Sequence, residues 1–518
     1  MNLLKKPDRS SFPWFTVGMA GVLLLSFGLH FWGLDRFNTL VFDEVYYVKY
    51  ANNYLTRTPF FDAHPPLGKY AIALAIWIGS HFQSPQDAVN NLGGVPFSPW
   101  TYRWLNALVG SLLPFVVGAI AYHISHRRSY ALIAALFTTL DGLFLVESRY
   151  ALINIYLVFF GLLGQWFFLL ALEHQNPWRW VWLALSGLGF GACISVKWNG
   201  LGFLVGIYLI WICAKVMQWM GRDIKNSPLL CQNLTQIKFY HLLANLAILP
   251  AILYYLVWIP HLQINTKTGF WGLHKQILGF HQGLGSGASV HPYCSSWYTW
   301  PLMLRPMSYF YETARNTTEP VPSFGPPLPA GAGKVIYDIH AMGNPFLWWL
   351  STAAIVLLLI QLASHIWLFA SRNTEPISRS QSSRSQVRTS RSQVQPGNDF
   401  LEDLPRHFTG IILGIKQSPK LWLALYLMLN YAANFLPWIK VTRCTFIYLY
   451  MPAAIFAFLT IAWLVERWLY SCYIEFRFLG FTVIFIILLA FVFWLPVYLG
   501  LPLSPAAFQL RMWLRSWY

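Results

Sequence analysis

Charge is what this sequence has least of. Only 11% of its 518 residues are Asp, Glu, Lys or Arg, where a soluble chain carries about 25%. A deficit of that size excludes a soluble enzyme, a disordered protein and a collagen-like fibre. Acids are the scarcer half, 19 against 36 Lys and Arg, which leaves a net charge of +17. Cysteine is sparse too. Cys193, Cys213, Cys231, Cys294, Cys444 and Cys472 form no CxxC pair, so neither a zinc site nor a disulfide framework is expected. There is no DxD-type motif, no His/Cys cluster at ligand spacing and no Gly-rich phosphate-cradling loop. No metal and no cofactor is expected.

What is present is apolar. Hydrophobic residues make up 56% of the chain, and the mean hydropathy is +0.46. Length alone suggests three or four soluble domains, but the apolar residues run in long stretches. A bilayer core is crossed by about 20 apolar residues in a helix. About eleven such spans are read, at 14–34, 100–122, 129–146, 150–171, 181–197, 199–217, 241–260, 345–370, 421–438, 445–465 and 477–499. The expected class is therefore an all-α, polytopic integral membrane protein. The segment 67–80 is apolar but short and reads as a helix on the membrane surface. The C-terminal AFQLRMWLRSWY reads as an interfacial helix with Trp513 and Trp517 as anchors.

Orientation follows from Lys and Arg in short loops. With the N-terminus in the cytoplasm, Lys5, Lys6, Arg9, Arg127, Arg128, Arg179, Lys215, Arg222, Lys225 and Lys238 all fall inside. So does the basic stretch 371–420, where Ser-Arg-Ser-Gln recurs three times. It reads as a disordered linker near anionic headgroups. In a soluble protein the positive charge would suggest nucleic acid; here it belongs to cytoplasmic loops, and no nucleic-acid partner is expected. The chain divides into a membrane module 1–260 with an outer loop 35–99, an outer loop 261–344, and a second membrane module 345–518. The C-terminus falls outside.

Ionisable residues near the outer ends of spans cost energy and often mark function. The first outer loop is densest in them. Asp43 and Glu44 stand side by side after the first span, and adjacent carboxylates can be driven to different pKa values and roles. One ionised Asp can take a proton from an attacking alcohol; the plainer reading is an acidic helix N-terminus. In FDAHPPLGK (61–69), Pro65 and Pro66 stiffen the chain and hold Asp62, His64 and Lys69 near the surface. Arg103, Arg149 and Lys197 add cations on the same side. An Arg at headgroup depth either snorkels or grips a lipid phosphate bidentately. The set suits an anionic lipid-linked substrate.

These motifs resemble the protein O-mannosyltransferases, membrane glycosyltransferases of the GT-C class. The matching segments are FDEVYY (42–47), FDAHPPLGK (61–69), the Tyr102-Arg103 region, LDGLFLVESRYALIN (140–154), SVKWNG (195–200), HPYCSSWYTWPLMLRPMSYFYE (291–312), GNPFLWW (343–349) and FLPWIKVTRCTFIYLYMPA (435–453). The resemblance implies a GT-C fold with about eleven transmembrane helices. It implies a polyprenyl-phosphate mannose donor and a Ser/Thr hydroxyl acceptor on an exported protein, met at the extracytoplasmic face of the cell membrane and delivered by the secretion translocon. It puts the catalytic base at Asp43, acceptor orientation at Glu44 and the donor phosphate on Arg103, with Arg149 and Lys197 beside it. His64, Lys69 and Asp62 become substrate-binding candidates. Two departures stand out. The outer loop 261–344 is too short for the β-trefoil domain of eukaryotic members, and Asn154 occupies a position where many members have Asp. Two competing readings are a GT-C transferase acting on a lipid or glycan and a transporter. The second predicts internal repeats, and none is seen.

Overall fold

The computed structural model describes residues 13–82, 97–220, 229–287, 289–317, 334–374 and 419–518. Nearly all of the expected linker 371–420 lies outside the described residues. In chain order the helices are α1 Trp14–Phe31, α2 Glu44–Leu55, α3 Leu67–Ser80, α4 Pro99–Ser125, α5 Arg128–Thr139, α6 Gly142–Arg149, α7 Asn154–Glu173, α8 Trp178–Ile194, α9 Leu201–Trp219, α10 Leu229–Gln236, α11 Phe239–Leu242, α12 Leu249–Ile264 and α13 Phe270–Gly283. They continue with α14 Pro345–Thr374, α15 Pro419–Phe435, α16 Met451–Leu469, α17 Ile474–Leu499 and α18 Pro505–Gln509. A π-helical turn, Leu243–Ile248, joins α11 to α12.

Among the described residues, eight helices are long and apolar enough to cross a membrane, nine if a bent pair counts as one span. The expected count of about eleven is reached only by adding α8 and α15, each 17 residues long. The bent pair is α5 and α6, which meet at 61° where a straight span 129–146 was expected. Asp141 causes the break. Its carboxylate caps α6 at Phe144 N, and also accepts Asn344 N and Trp348 Nε1. The polar pull of LDG on GNPFLWW outweighs a continuous helix. Gly142 permits it, because a Cβ there would meet the Tyr498 ring.

The architecture is helical as expected, with one small exception in the loop 261–344. There β1 (Met307–Ala314) and β2 (Val335–Ala341) form a two-stranded antiparallel sheet. The register slips between Ser308 and Phe310, leaving Tyr309 as a bulge. The disulfide expectation fails. Cys294 bonds Cys444 across 150 residues, a pairing that local spacing rules do not see. The C-terminal segment is not one helix. It is the short α18 and a turn at Arg515–Trp517, and Trp517 is fully buried, donating to Met303 O. Trp513 alone keeps the exposure expected of an anchor.

The core centres on α16, buried from Met451 to Glu466. A helix apolar all round belongs inside a bundle. In contrast, α17 exposes Phe478, Phe481, Phe485 and Val492 along its length, a surface that only lipid suits. At one end of α16 lies Tyr448; at the other, Arg127 clasps Glu466 at 2.7 and 2.8 Å. Nineteen residues rising 1.5 Å each span about 28 Å, close to the ~30 Å bilayer core. The basic end of the molecule and its acidic cluster are thus a membrane apart.

Candidate active site

Asp43 and Glu44 part company at the first turn of α2. Glu44 is fully buried and bonded on every side. Its Oε1 accepts from Arg103 Nε and Ala151 N, and its Oε2 from Arg103 Nη2 and Val41 N. Arg103 spends its other donors on the carbonyls of Leu34, Phe37 and Thr39. Five N–H donors thus meet five acceptors. Arg149 is buried against the carbonyls of Leu29, His30 and Gly33. These three residues tie α1, α4 and α6 to the loop that carries Asp43. The expectation that Arg103 and Arg149 grip a phosphate, and that Glu44 meets an acceptor, does not fit this arrangement. No donor of Arg103 is left to offer.

Asp43 is the N-cap of α2, yet its side chain makes no capping bond. The plain helix-dipole reading is therefore not what its geometry serves. Phe42 before it sits at φ +52°, a conformation costly for an aromatic residue. Two contacts hold it there. The Glu44 carboxylate pins Val41 N on the other side of the turn, and the Phe42 ring stacks on Tyr309 at 4.1 Å. The Asp43 carboxylate is left within electrostatic reach of Lys197, Asp62, Glu147, Tyr309 and Tyr448, which line the candidate cleft. Burial pushes its pKa up to about 6; Lys197 pulls it down, and the charge of Asp62 pushes it up.

Cations and tyrosines face it. Lys197 donates to Asn154 Oδ1 at 2.7 Å and sits 5.2 Å over the Tyr448 ring. Asn154 in turn donates to Glu147 Oε2 at 3.1 Å, and Glu147 Oε1 takes the hydroxyl of Tyr309. His64 and His281 lie 5.7 Å apart, ring to ring. Burial, then the charges of Lys197 and Lys69, holds His64 well below the usual imidazole range. Arg443, partly exposed, donates to Cys444 O. Burial lowers it from its ordinary value, and Tyr448 opposes that. Its charge reaches Lys197, His64 and His281. The Cys294–Cys444 bond fastens that segment to the loop 261–344.

The motifs meet through backbone. Leu67 N donates to Ser195 O at 3.0 Å, joining FDAHPPLGK to SVKW. Gly68 is what permits it, since a Cβ would sit 2.8 Å from Ile153. Lys69 is buried, paired with Asp62 and with His64 O at 2.8 Å, so both residues brace the His64 loop. Of the eight expected site residues, Asp43, His64 and Lys197 share the cleft, Asp62 and Lys69 stiffen one wall, and Glu44, Arg103 and Arg149 build the frame. Sequence reasoning missed Glu147, Tyr309, Tyr448, His281 and Arg443. Arg443 was findable: it stands near the outer end of a span, the criterion that selected Arg103. Among the described residues no group of three His, Cys, Asp or Glu could hold a metal ion.

Fold and cleft together define a multi-pass membrane protein of the GT-C class. The family model for dolichyl-phosphate-mannose-protein mannosyltransferases matches residues 21–266. The model for the C-terminal four-helix region of protein-O-mannosyltransferase matches 266–394 and 411–517. The chain belongs to the protein O-mannosyltransferase family. Relatives include mouse protein O-mannosyl-transferase 1, 29% identical over 51% of this chain and 34% of its own length. The polyprenol-phosphate-mannose–protein mannosyltransferase of Corynebacterium glutamicum is 25% identical over 57% of this chain and 59% of its own. The match thus spans about a third to three fifths of these relatives. The Saccharomyces cerevisiae Pmt1-Pmt2 complex bound to the sugar donor shares the fold, with a TM-score of 0.71 at 14% identity over 98% of this chain and 93% of that one.

Proposed function

We propose that the protein transfers mannose from polyprenyl-phosphate mannose to Ser or Thr hydroxyls of exported proteins. The site opens at the extracytoplasmic face of the cell membrane, with the N-terminus inside and acceptors arriving from the secretion translocon. The observation that carries the reading is an Asp43 carboxylate without a capping bond, set against Lys197, whose charge Arg443 also reaches, in a chain that matches the family along most of its length.

The reaction is a single inverting displacement. The acceptor oxygen bonds to the anomeric carbon as its proton passes to Asp43; the bond from that carbon to the phosphate oxygen breaks, and the electron pair leaves on the phosphate. A hydroxyl is a weak nucleophile, so a carboxylate must take the proton as the new bond forms. A pKa of about 6 keeps Asp43 ionised near neutrality and still basic enough to act. Lys197 and Arg443 stabilise the charge on the departing lipid phosphate, and neutral His64 offers it a hydrogen bond. The test is purified protein with polyprenyl-phosphate mannose and a Ser/Thr-rich peptide. Peptide-linked hexose is expected from the wild type, and its absence overturns the reading.

A further inference from the structure

Behind the strand that carries Tyr309 lies a second cavity, of about 470 Å³. It is bounded by β1, β2, α18 and the chain end. Its polar lining includes Ser308, Asp338, His340 and Gln509, and its aromatic lining Tyr311 and Tyr518. Asp338 and His340 are each almost fully buried. Ser308 Oγ donates to Asp338 Oδ1 at 2.5 Å, and His340 Nδ1 lies 2.9 Å from Asp338 Oδ2. An imidazole that gives its Nδ1 proton to a carboxylate leaves Nε2 as an acceptor. That Nε2 is buried with no partner, a costly state that a ligand hydroxyl would relieve. The Tyr311 and Tyr518 rings are half exposed and flank Phe508 at 5.9 and 6.3 Å.

The chemistry narrows the occupant. Among the described residues no lysine or arginine lines the cavity, and the buried carboxylate disfavours an anion, so a lipid phosphate does not suit it. Hydrolytic chemistry does not suit it either, because Ser308 bonds Asp338 and not the histidine, leaving no nucleophile–base pair. What remains is a neutral ligand with several hydroxyls and an apolar face. The volume is that of an ordinary small-molecule pocket.

We propose that this cavity binds a neutral pyranose residue, separately from the Asp43 cleft. The ring lies against Tyr311 and Tyr518, and its hydroxyls meet His340 Nε2, Asp338 and Gln509. The two sites share β1. Its bulge sends Tyr309 to Glu147 and Phe42 on one side, while Ser308 serves the cavity on the other. A sugar held there is one strand from Asp43. On the transferase reading, which this consequence rests on, a segment already carrying a sugar would be retained beside the reaction centre.

The test needs no donor and so is independent of transfer. Methyl α-mannopyranoside is titrated against the full chain in detergent and read by saturation-transfer NMR. Saturable binding is expected, weakened roughly fivefold or more, the scale of one lost contact, by Tyr518→Ala, Gln509→Ala and His340→Ala. Asp43→Asn should leave it unchanged. The Tyr518 side chain is half exposed, and an unaltered melting temperature of Tyr518→Ala shows that its effect is not unfolding. Absence of saturable binding overturns the proposal. So does binding lost in Asp43→Asn but kept in the cavity variants, which would place the sugar in the other cleft. A Ser/Thr-rich peptide that binds where the glycoside does not, and is lost in the three variants, overturns it in favour of a polypeptide groove.

Discussion

Two charged regions lie a few residues apart and differ in one respect. In the frame, Glu44 and Arg103 have all their hydrogen-bonding capacity filled by each other and by backbone. In the cleft, Asp43 has no capping bond and Arg443 has spent one donor on a neighbouring carbonyl. Glu44, Arg103 and Asp43 are all buried, so both regions hold expensive charges. A saturated charge fixes backbone; an unsaturated one is kept for something that arrives. Adjacent acids in sequence therefore say little about role until their partners are counted.

The sharpest way to break the comparison is to neutralise one acid from each region. Asp43→Asn should lower transfer by about 10³-fold, in the range of a lost general base, with the fold intact. Its stability should even gain. The folded pKa of Asp43 lies above its unfolded value, so ionisation costs stability as pH rises from about 4 through 6; asparagine removes that cost. Near-normal transfer by this variant would remove Asp43 as base. Arg103→Ala should act the other way round. Leaving Glu44 buried and unpaired costs about 3–5 kcal/mol, read as a lower melting temperature and poor yield. Lysine should not rescue it, because a point charge cannot serve five acceptors. A stable Arg103→Ala protein with weakened donor binding would return Arg103 to the phosphate site.

The next effects are confined to the cleft. Below pH 6 the Asp43 carboxyl takes up its proton and cannot accept another, so kcat/KM should fall about tenfold per unit. A profile flat across that range would mean the proton goes elsewhere. Arg443→Ala should raise the apparent KM for the lipid donor by about tenfold, the loss of a charge-assisted contact, with kcat falling less and melting unchanged. An unaltered donor titration would leave Lys197 as the cation that matters.

Much of this was legible from the chain. The short apolar helix 67–80, the helical stretch after Asp43 and the family motifs were all readable, because each is a local pattern. The bend at Asp141 was not, since its partners Asn344 and Trp348 lie two hundred residues away. Arg103 misled for a physical reason. Hydropathy locates a charge at headgroup depth but cannot say whether carbonyls already surround it. Glu147 and Tyr309 were hidden in motifs quoted only for resemblance; their meeting depends on a one-residue bulge.

The smallest effect tests Asn154, which the sequence reading set apart from the family pattern. Asn154 bridges Lys197 and Glu147, accepting from one and donating to the other. An acid at 154 would lose its donor to Glu147 and repel it, while holding Lys197 more tightly in an ion pair and away from the proposed donor phosphate. Asn154→Asp alone should therefore lower kcat/KM by about fivefold, and Glu147→Gln should do the same by removing the negative charge that faces Lys197. Combined, the two substitutions move one carboxylate across a single hydrogen bond and restore a neutral partner beside it. The double variant should recover to within about twofold of wild type, a coupling of roughly 1–2 kcal/mol for groups in contact. Recovery would mean that the cleft needs one carboxylate next to Lys197 and tolerates either position. Additive losses would mean that Glu147 has a separate task, with Tyr309 and the bulge of β1 as the place to look for it.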